Sequence, residues 1–198
     1  MICESFGLSP AAILVQASSL SWSGGADLCM RVLDGKPLVE RCLERARRLF
    51  PDVPIRVVAP EFDRGGLNGI ASSVVNCQAT YSFDDKPLKR MIAAVDDLAD
   101  DQWILRIDGL HCFFQGNVVR DLIAAAESEK LDLAKSPDNF PPPLGGEVWR
   151  GWRAPPYRPH ALRSACRNIG TALCASEISR DARGCRFAHA DHRTVPGP

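Results

Sequence analysis

Several features are missing from this 198-residue chain, and each absence closes a class of function. No run approaches the ~20 consecutive apolar residues that a membrane helix needs. The opening stretch, MICESFGLSPAAILVQA, has no basic residue ahead of its apolar part. It does not read as a signal peptide, and the expected location is the cytoplasm. The eight cysteines (Cys3, Cys29, Cys42, Cys77, Cys112, Cys166, Cys174 and Cys185) form no C-x-x-C pair. Without an export signal, reduced and mostly buried thiols are expected. The group Cys166, Cys174, Cys185, His189 and His192 has spacings that match no zinc finger or ribbon. No Walker loop and no Ser–His–Asp order appear, which leaves P-loop chemistry and triad hydrolysis without a sequence signal.

Net charge is also absent, with 24 Lys and Arg against 24 Asp and Glu, but the balance conceals a division. From Arg150 onward there are nine Arg, no Lys and three acids, a balance of +6 that leaves −6 on residues 1–149. The arginines of this tail are scattered and have few aromatics among them, which argues against a nucleic-acid arm. Residues 154–198 are rich in Arg, Pro and Cys and show one modest helical candidate, 160–178. Such a composition can arise from an altered reading frame in a GC-rich gene. The expected division is an α/β domain over 1–153 and an Arg/Pro/Cys-rich tail over 154–198, for which poor order is one expectation.

What is present is strand and helix in alternation. AAILVQA (11–17), IRVVA (55–59) and WILRI (103–107) are continuous apolar runs of the kind covered on both faces. NCQATYSF (76–83), LDLAKS (131–136) and GEVWR (146–150) read as shorter strands. KPLVERCLERARRLF repeats apolar positions at helical spacing, with Pro37 in its first turn and Arg41, Arg45 and Arg48 on a wet face. KPLKRMIAAVDDLA (86–99) predicts a second helix and QGNVVRDLIAAAESEK (115–130) a third, with Asn117 as its cap. A short helix is expected near 67–73. This order predicts a mostly parallel sheet with helices on both faces. Ligands of such sheets lie beyond the carboxyl ends of the strands. The polar loop SSLSWSGGAD after the first strand and the DGLH after WILRI both fall there.

AAILVQA, a polar loop, then VLDGKPLVERCLERARRL resembles the start of the cytidylyltransferase family of sugar-activating enzymes. The spore-coat polysaccharide branch is nearest, with acylneuraminate and ketodeoxyoctonate cytidylyltransferases as relatives. WILRIDGLHCFFQGNVVRDLI resembles that branch's later strand, loop and helix, and LDLAKSPDNFPPPLGGEVWR the stretch that follows. The resemblance covers about residues 11–150. It implies a Rossmann-like fold of the nucleotide-diphospho-sugar transferase type. It also implies Mg²⁺-dependent transfer of a cytidylyl group from CTP to a sugar, for surface polysaccharide, with a homodimer expected. A triphosphate needs N–H donors and cations, and the metal needs carboxylates.

Two departures stand beside the match. The family's first loop runs R-x-x-S-x-R-x-P-G-K, whereas this loop has no Lys, no Pro and no Arg before Arg31, and Asp27 adds a negative charge. Each lost charged hydrogen bond is worth about 1.5–3 kcal/mol. The family's metal-binding G-D is reversed here, with Asp108 ahead of Gly109. In the resulting assignment Gln16 and Ser18 meet base or ribose, while Ser19, Gly24 and Gly25 donate to phosphate. Arg31, Lys36 and Arg106 supply positive charge, and Asp108 holds Mg²⁺ directly or through water.

Each of these residues has a plainer reading. Asp108 could cap a turn in which Gly109 takes a positive φ. Lys36 could simply begin a helix, and Gln16 could bond a neighbouring loop. His111 could pack rather than touch a ligand. Trp22 could stack on a base. DDKP (84–87) reads as acids suiting a helix dipole. Two alternatives to catalysis stay open: an inactive nucleotide-sugar binding or assembly module, and a truncated family fragment.

Overall fold

A computed structural model describes residues 8–136 and 139–150. The 160–178 helix, the tail over 154–198 and the Cys166–His192 group lie outside the described residues.

The fold is organised around β1 (Ala12–Gln16), whose residues Ala12 to Val15 are wholly buried. A strand with no polar face needs neighbours on both edges and cover on both sides. β1 pairs in parallel with β4 (Ile55–Ala59) on one edge and with β6 (Ile104–Asp108) on the other. β5 (Cys77–Tyr81) extends the sheet in parallel beyond β4. Beyond β6, β8 (Glu147–Trp149) runs antiparallel, and β7 (Leu133–Lys135) pairs antiparallel with β8 at the edge. The six-stranded order is β5-β4-β1-β6-β8-β7, mostly parallel as expected. A separate two-stranded ribbon joins β2 (Val32–Leu33) to β3 (Lys36–Pro37). Its turn residues Asp34 and Gly35 have φ of 50° and 78°, and two positive values in succession match the twist of a tight hairpin.

Helices cover both faces. α1 (Leu38–Leu49), α2 (Asn68–Ser72) and α4 (Gly116–Glu129) lie on one face. There Val39, Leu43, Leu122 and Ile123 pack with Ile13, Val15, Ile55, Leu105 and Ile107. α3 (Pro87–Ala93) and the turn after it cover the other, where Ala94 and Val95 meet Leu14, Val58, Ile104 and Trp149. Strand alternation puts Gln16, Arg106 and Asp108 on this second face, beyond the apolar patch.

Three local expectations change. α3 ends at Ala93 rather than near 99. Arg56 reaches from β4 to the Ala94 carbonyl and forks the Asp97 carboxylate, so the chain past Ala93 is held in turns by a tertiary clamp. Pro37 precedes α1, pairing with Val32 in the ribbon, and the helix starts at Leu38. Gln115, not Asn117, occupies the cap position of α4, and its side chain makes no capping bond.

Leu43 is wholly buried in the larger core, whereas Leu33 is an exposed ribbon residue. Leu43→Ala should lower unfolding free energy by about 2–5 kcal/mol through lost transfer energy and a cavity. Leu33→Ala should change it by less than ~0.5 kcal/mol. Urea midpoints measure both.

Candidate functional site

The strand order reverses around β1. The chain runs outward from β1 through β4 to β5 and then returns to place β6 on the opposite edge. In an open parallel sheet this switch leaves a crevice beyond the carboxyl ends of the two central strands. The final register pair of β1 and β6 is Gln16 with Asp108. Both line an open crevice of about 220 Å³, together with Ser18, Ser21 and Trp22 of the loop, Asp27 and Cys29 beyond it, Pro60 and Phe62 after β4, and Arg90 of α3. The polar loop and the acid ending WILRI thus share one crevice, as the sequence predicts.

A buried carboxylate sets the entry of the loop. Asp63, 3% exposed, sits in the short 3-10 turn after β4. It accepts from the Ser19 amide at 2.6 Å and from the Ser19 hydroxyl, and lies 3.1 Å from the Ser18 hydroxyl. Charge-assisted bonds to backbone and hydroxyl donors offset the cost of burying this acid. Gly66 completes the arrangement, because a Cβ there would fall on Ser19 Oγ and Asp63 Oδ1. Ser18 also donates to the Leu20 carbonyl at 2.7 Å. The Ser19 hydroxyl and amide, assigned to a phosphate from sequence, are therefore engaged by Asp63, and Ser18 is shared between Asp63 and Leu20.

Past Leu20 the loop closes on itself. The Ser21 amide donates to Gly25 O at 2.8 Å and the Gly24 amide to Ser21 O at 2.9 Å, with Leu20 and Ala26 bridged. Gly24 has a φ of 82°, which the turn requires. Its amide is used within the loop, and neither Gly24 nor Gly25 lines the crevice. Trp22 stands 77% exposed at the rim, its ring centroid 5.3 Å from that of Phe62. The Phe62 amide donates to Asp84 Oδ1 at 2.8 Å, which gives the first acid of DDKP a structural role.

At the end of β6 the turn reading and the ligand reading of Asp108 coexist. Asp108 Oδ1 accepts from the Leu110 amide at 3.1 Å. Oδ2 carries no hydrogen bond among the described residues. Gly109 does not have the positive φ expected of it. It is needed for space, since a Cβ would lie 3.1 Å from Ala17 Cβ and 3.2 Å from Cys29 Cβ. The buried Cys29 thiol, close to Asp27 and Asp108, is pushed up to about 12, by burial first and by those carboxylates in addition. It is a packed thiol rather than a nucleophile. Burial lowers the His111 pKa, and His111 does not line the crevice.

The expected cations lie elsewhere. Lys36 bonds Glu44 and, at 3.0 Å, Glu40 of α1, and these carboxylates raise its pKa. Arg31 is exposed, outside the crevice lining. Arg106 donates to Gln16 Oε1 at 2.8 Å and pairs with Glu147 at 3.3 Å. That bond settles the Gln16 amide: its oxygen faces Arg106, so its NH₂ is the end left for the crevice. Sequence reasoning missed Asp63, Phe62 and Arg90. Arg90 lines the crevice at 5% exposure, and burial lowers its pKa.

Asp63→Asn and Gly66→Ala should each loosen the loop entry. The expected cost is about 1–3 kcal/mol for unsatisfied or displaced donors. Hydrogen exchange at the Ser19 and Asp27 amides should accelerate in both variants, while α4 amides keep wild-type protection relative to global stability. Unchanged Ser19 exchange would remove Asp63 from this role.

No protein-family model and no curated protein sequence matches the chain. Solved structures do match. A CMP:2-keto-3-deoxy-manno-octonic acid synthetase complexed with CTP superposes with TM-score 0.53 at 13% identity, covering 83% of this chain and 86% of that one. A cytidylyltransferase from Leptospira borgpetersenii serovar Hardjo-bovis (strain JB197) gives 0.57 at 14% identity, covering 86% and 71%. The bifunctional IspDF from Campylobacter jejuni gives 0.53 at 10% identity, and this chain spans 47% of it. The described chain carries the fold found in cytidylyltransferases, a mostly parallel sheet of the nucleotide-diphospho-sugar transferase type.

Proposed function

We propose that the crevice between the ends of β1 and β6 holds a nucleoside triphosphate, CTP, and that the chain is a nucleotidyltransferase-type domain acting on a sugar for surface polysaccharide. The observation that carries this reading is the convergence of Gln16, the 18–29 loop and Asp108 at the switch point of the sheet. A fold shared with a synthetase solved in complex with CTP supports it. The crevice is smaller than the ~300–1,000 Å³ of a typical ligand pocket, and its open side leaves room for a ligand that protrudes. The Trp22–Phe62 pair offers an aromatic surface at the rim for a base, and stacking of this kind contributes about 1–3 kcal/mol per base.

Mg²⁺ belongs to the proposal. Among the described residues no group of three His, Cys, Asp or Glu could hold a metal ion. Asp108 and Asp27 both line the crevice, and each has one oxygen engaged by a backbone amide, Leu110 and Cys29 respectively. One free oxygen on each suits an ion that keeps several waters and completes its shell with substrate phosphates. The residues therefore fit Mg²⁺ brought in with the nucleotide. When bound, it would neutralise phosphate charge and orient the phosphates. The protein's own part is to position: the Gln16 amide donates into the crevice, and the loop pinned by Asp63 walls it.

A second reading has its own support. Lys36 and Arg106 are paired with carboxylates, and the Gly24 amide is internally bonded. Two acids and one arginine line the crevice among the described residues. So few free cations weigh against stabilising a transferring phosphate and suit a module that binds a nucleotide-sugar without fast turnover.

Thermal melts with CTP, UTP, ATP and GTP, each with and without Mg²⁺, test both readings. CTP with Mg²⁺ at about 100 Kd should add ~2.7 kcal/mol, and CTP alone should add little because the crevice is acidic. Asp108→Asn should erase the Mg²⁺ dependence. Pyrophosphate release with a sugar acid marks the enzyme, and a shift without release marks the module. No shift with any nucleotide defeats both.

A further inference from the structure

The sheet edge opposite the crevice carries a recess of its own. It opens at the amino ends of β4 and β5, has a volume of about 310 Å³, and is lined by Pro54, Ile55, Arg56, Asn76, Cys77 and Gln78. None of these residues lines the crevice. No α3 residue is among them. That helix ends at Ala93, where Arg56 takes the Ala94 carbonyl and the Asp97 carboxylate, so helical cover of this face stops short of the corner. Arg56 and Gln78 are register partners, and their side chains stand side by side on one face. Asn76 precedes Gln78 by two residues and has a φ of 52°. Glycine would adopt that backbone at less cost, whereas asparagine keeps an amide at the recess. Asn76 and Gln78 are exposed, and their side-chain amides make no hydrogen bond among the described residues. Arg56 is 8% exposed, and its Nε has no hydrogen-bond partner.

Charge and hydrogen-bonding capacity select the ligand. The Arg56 guanidinium is already matched by Asp97, to which Nη1 and Nη2 donate at 2.5 and 2.8 Å. An anion would bring a second negative charge beside that carboxylate. No acid lines the recess, so a cation would find no counter-charge there. Burial pushes the Cys77 thiol up to about 11, which keeps it protonated and uncharged. A neutral ligand remains. Each amide offers two donors and an acceptor, and Nε–H offers a further donor. Hydroxyls on adjacent ring carbons match this set, because each both donates and accepts. Pro54 supplies apolar surface for the C–H face of such a ring. The volume is at the small end of ligand pockets, which run to about 300–1,000 Å³, and suits a single ring. We infer that this recess is a second ligand site, holding one neutral polyhydroxyl ring, a glycosyl unit, through Arg56, Asn76 and Gln78.

The site is separate from the crevice and stands whether or not the crevice takes a nucleotide. Chemical-shift titration of the full chain tests it, with the methyl glycosides of glucose, mannose, galactose and N-acetylglucosamine as probes. At least one should give saturable shifts at Ile55–Val57 and Asn76–Gln78, residues that CTP with Mg²⁺ should leave unmoved. Gln78→Ala and Asn76→Gly each remove one exposed amide, and glycine keeps the positive φ. Each should weaken the bound glycoside about fivefold or more, the loss of one net hydrogen bond, while Tm stays near that of the wild type. The trisaccharide of the same sugar separates two sources of the ring. Tighter binding than the methyl glycoside assigns it to a sugar chain and equal binding to a free sugar, and both outcomes support the site. Acetate, inorganic phosphate and N-acetylglycinamide should give no saturable shift there. Three results would overturn the inference: no saturable shift with any glycoside, unchanged affinity in both variants, or saturation by acetate, phosphate or N-acetylglycinamide. Saturation by the last would make the recess a place for peptide backbone instead.

Discussion

The parallel pairing of β1 with β6 is the constraint on which the rest depends. It brings residues 16 and 108, more than ninety positions apart, to neighbouring places at one sheet edge. The Gly109 amide extends the ladder one step further by donating to Gln16 O at 2.9 Å. A side chain at this step would crowd Ala17 and Cys29, whose Cβ atoms would lie 3.1 and 3.2 Å from its own. Glycine after the strand-ending carboxylate keeps this space clear. The glycine lets the two strands close together past their last pair, and the closure leaves Asp108 beside the mouth rather than beneath it.

Charge distribution then decides what the crevice can receive. Its described lining is acidic, with Asp27 and Asp108 set against Arg90. Of the other candidate cations, Lys36 fastens the β2–β3 ribbon to α1, Arg106 ties β6 to Gln16 and Glu147, and Arg31 stands outside the crevice lining. A polyphosphate therefore cannot rely on the protein alone for neutralisation, which is why the divalent ion and the nucleotide are proposed to arrive as one ligand.

The architecture was legible because the central strands are continuous apolar runs and the long helices have clean periodicity. β1, β4 and β6 fall within one residue of the expected segments. The convergence of Gln16, Ser18 and Asp108 was legible too, since a parallel sheet sends all its strand ends to one edge. The rest depends on tertiary contacts that sequence spacing does not encode. Asp63 lies in EFDRGG, which reads as a solvated loop until Ser18 and Ser19 are laid against it. Arg90 lies in a segment legible only as a helix, and the Phe83 carbonyl that its buried side chain reaches is a tertiary feature. α3 ran short because Arg56, inside a strand, takes the Ala94 carbonyl. Arg31, Lys36 and Arg106 were chosen by position in a motif, and the acids that hold Lys36 and Arg106 stand elsewhere in the sequence.

Chemical-shift mapping on the isotopically labelled chain, titrated with CTP and Mg²⁺, addresses the central claim most directly. The account predicts saturable shifts confined to Gln16–Cys29, Phe62, Arg90 and Asp108–Leu110. Absence of shifts at these residues, or shifts gathered at the opposite sheet edge around Ile55, Asn76 and Gln78, would contradict it.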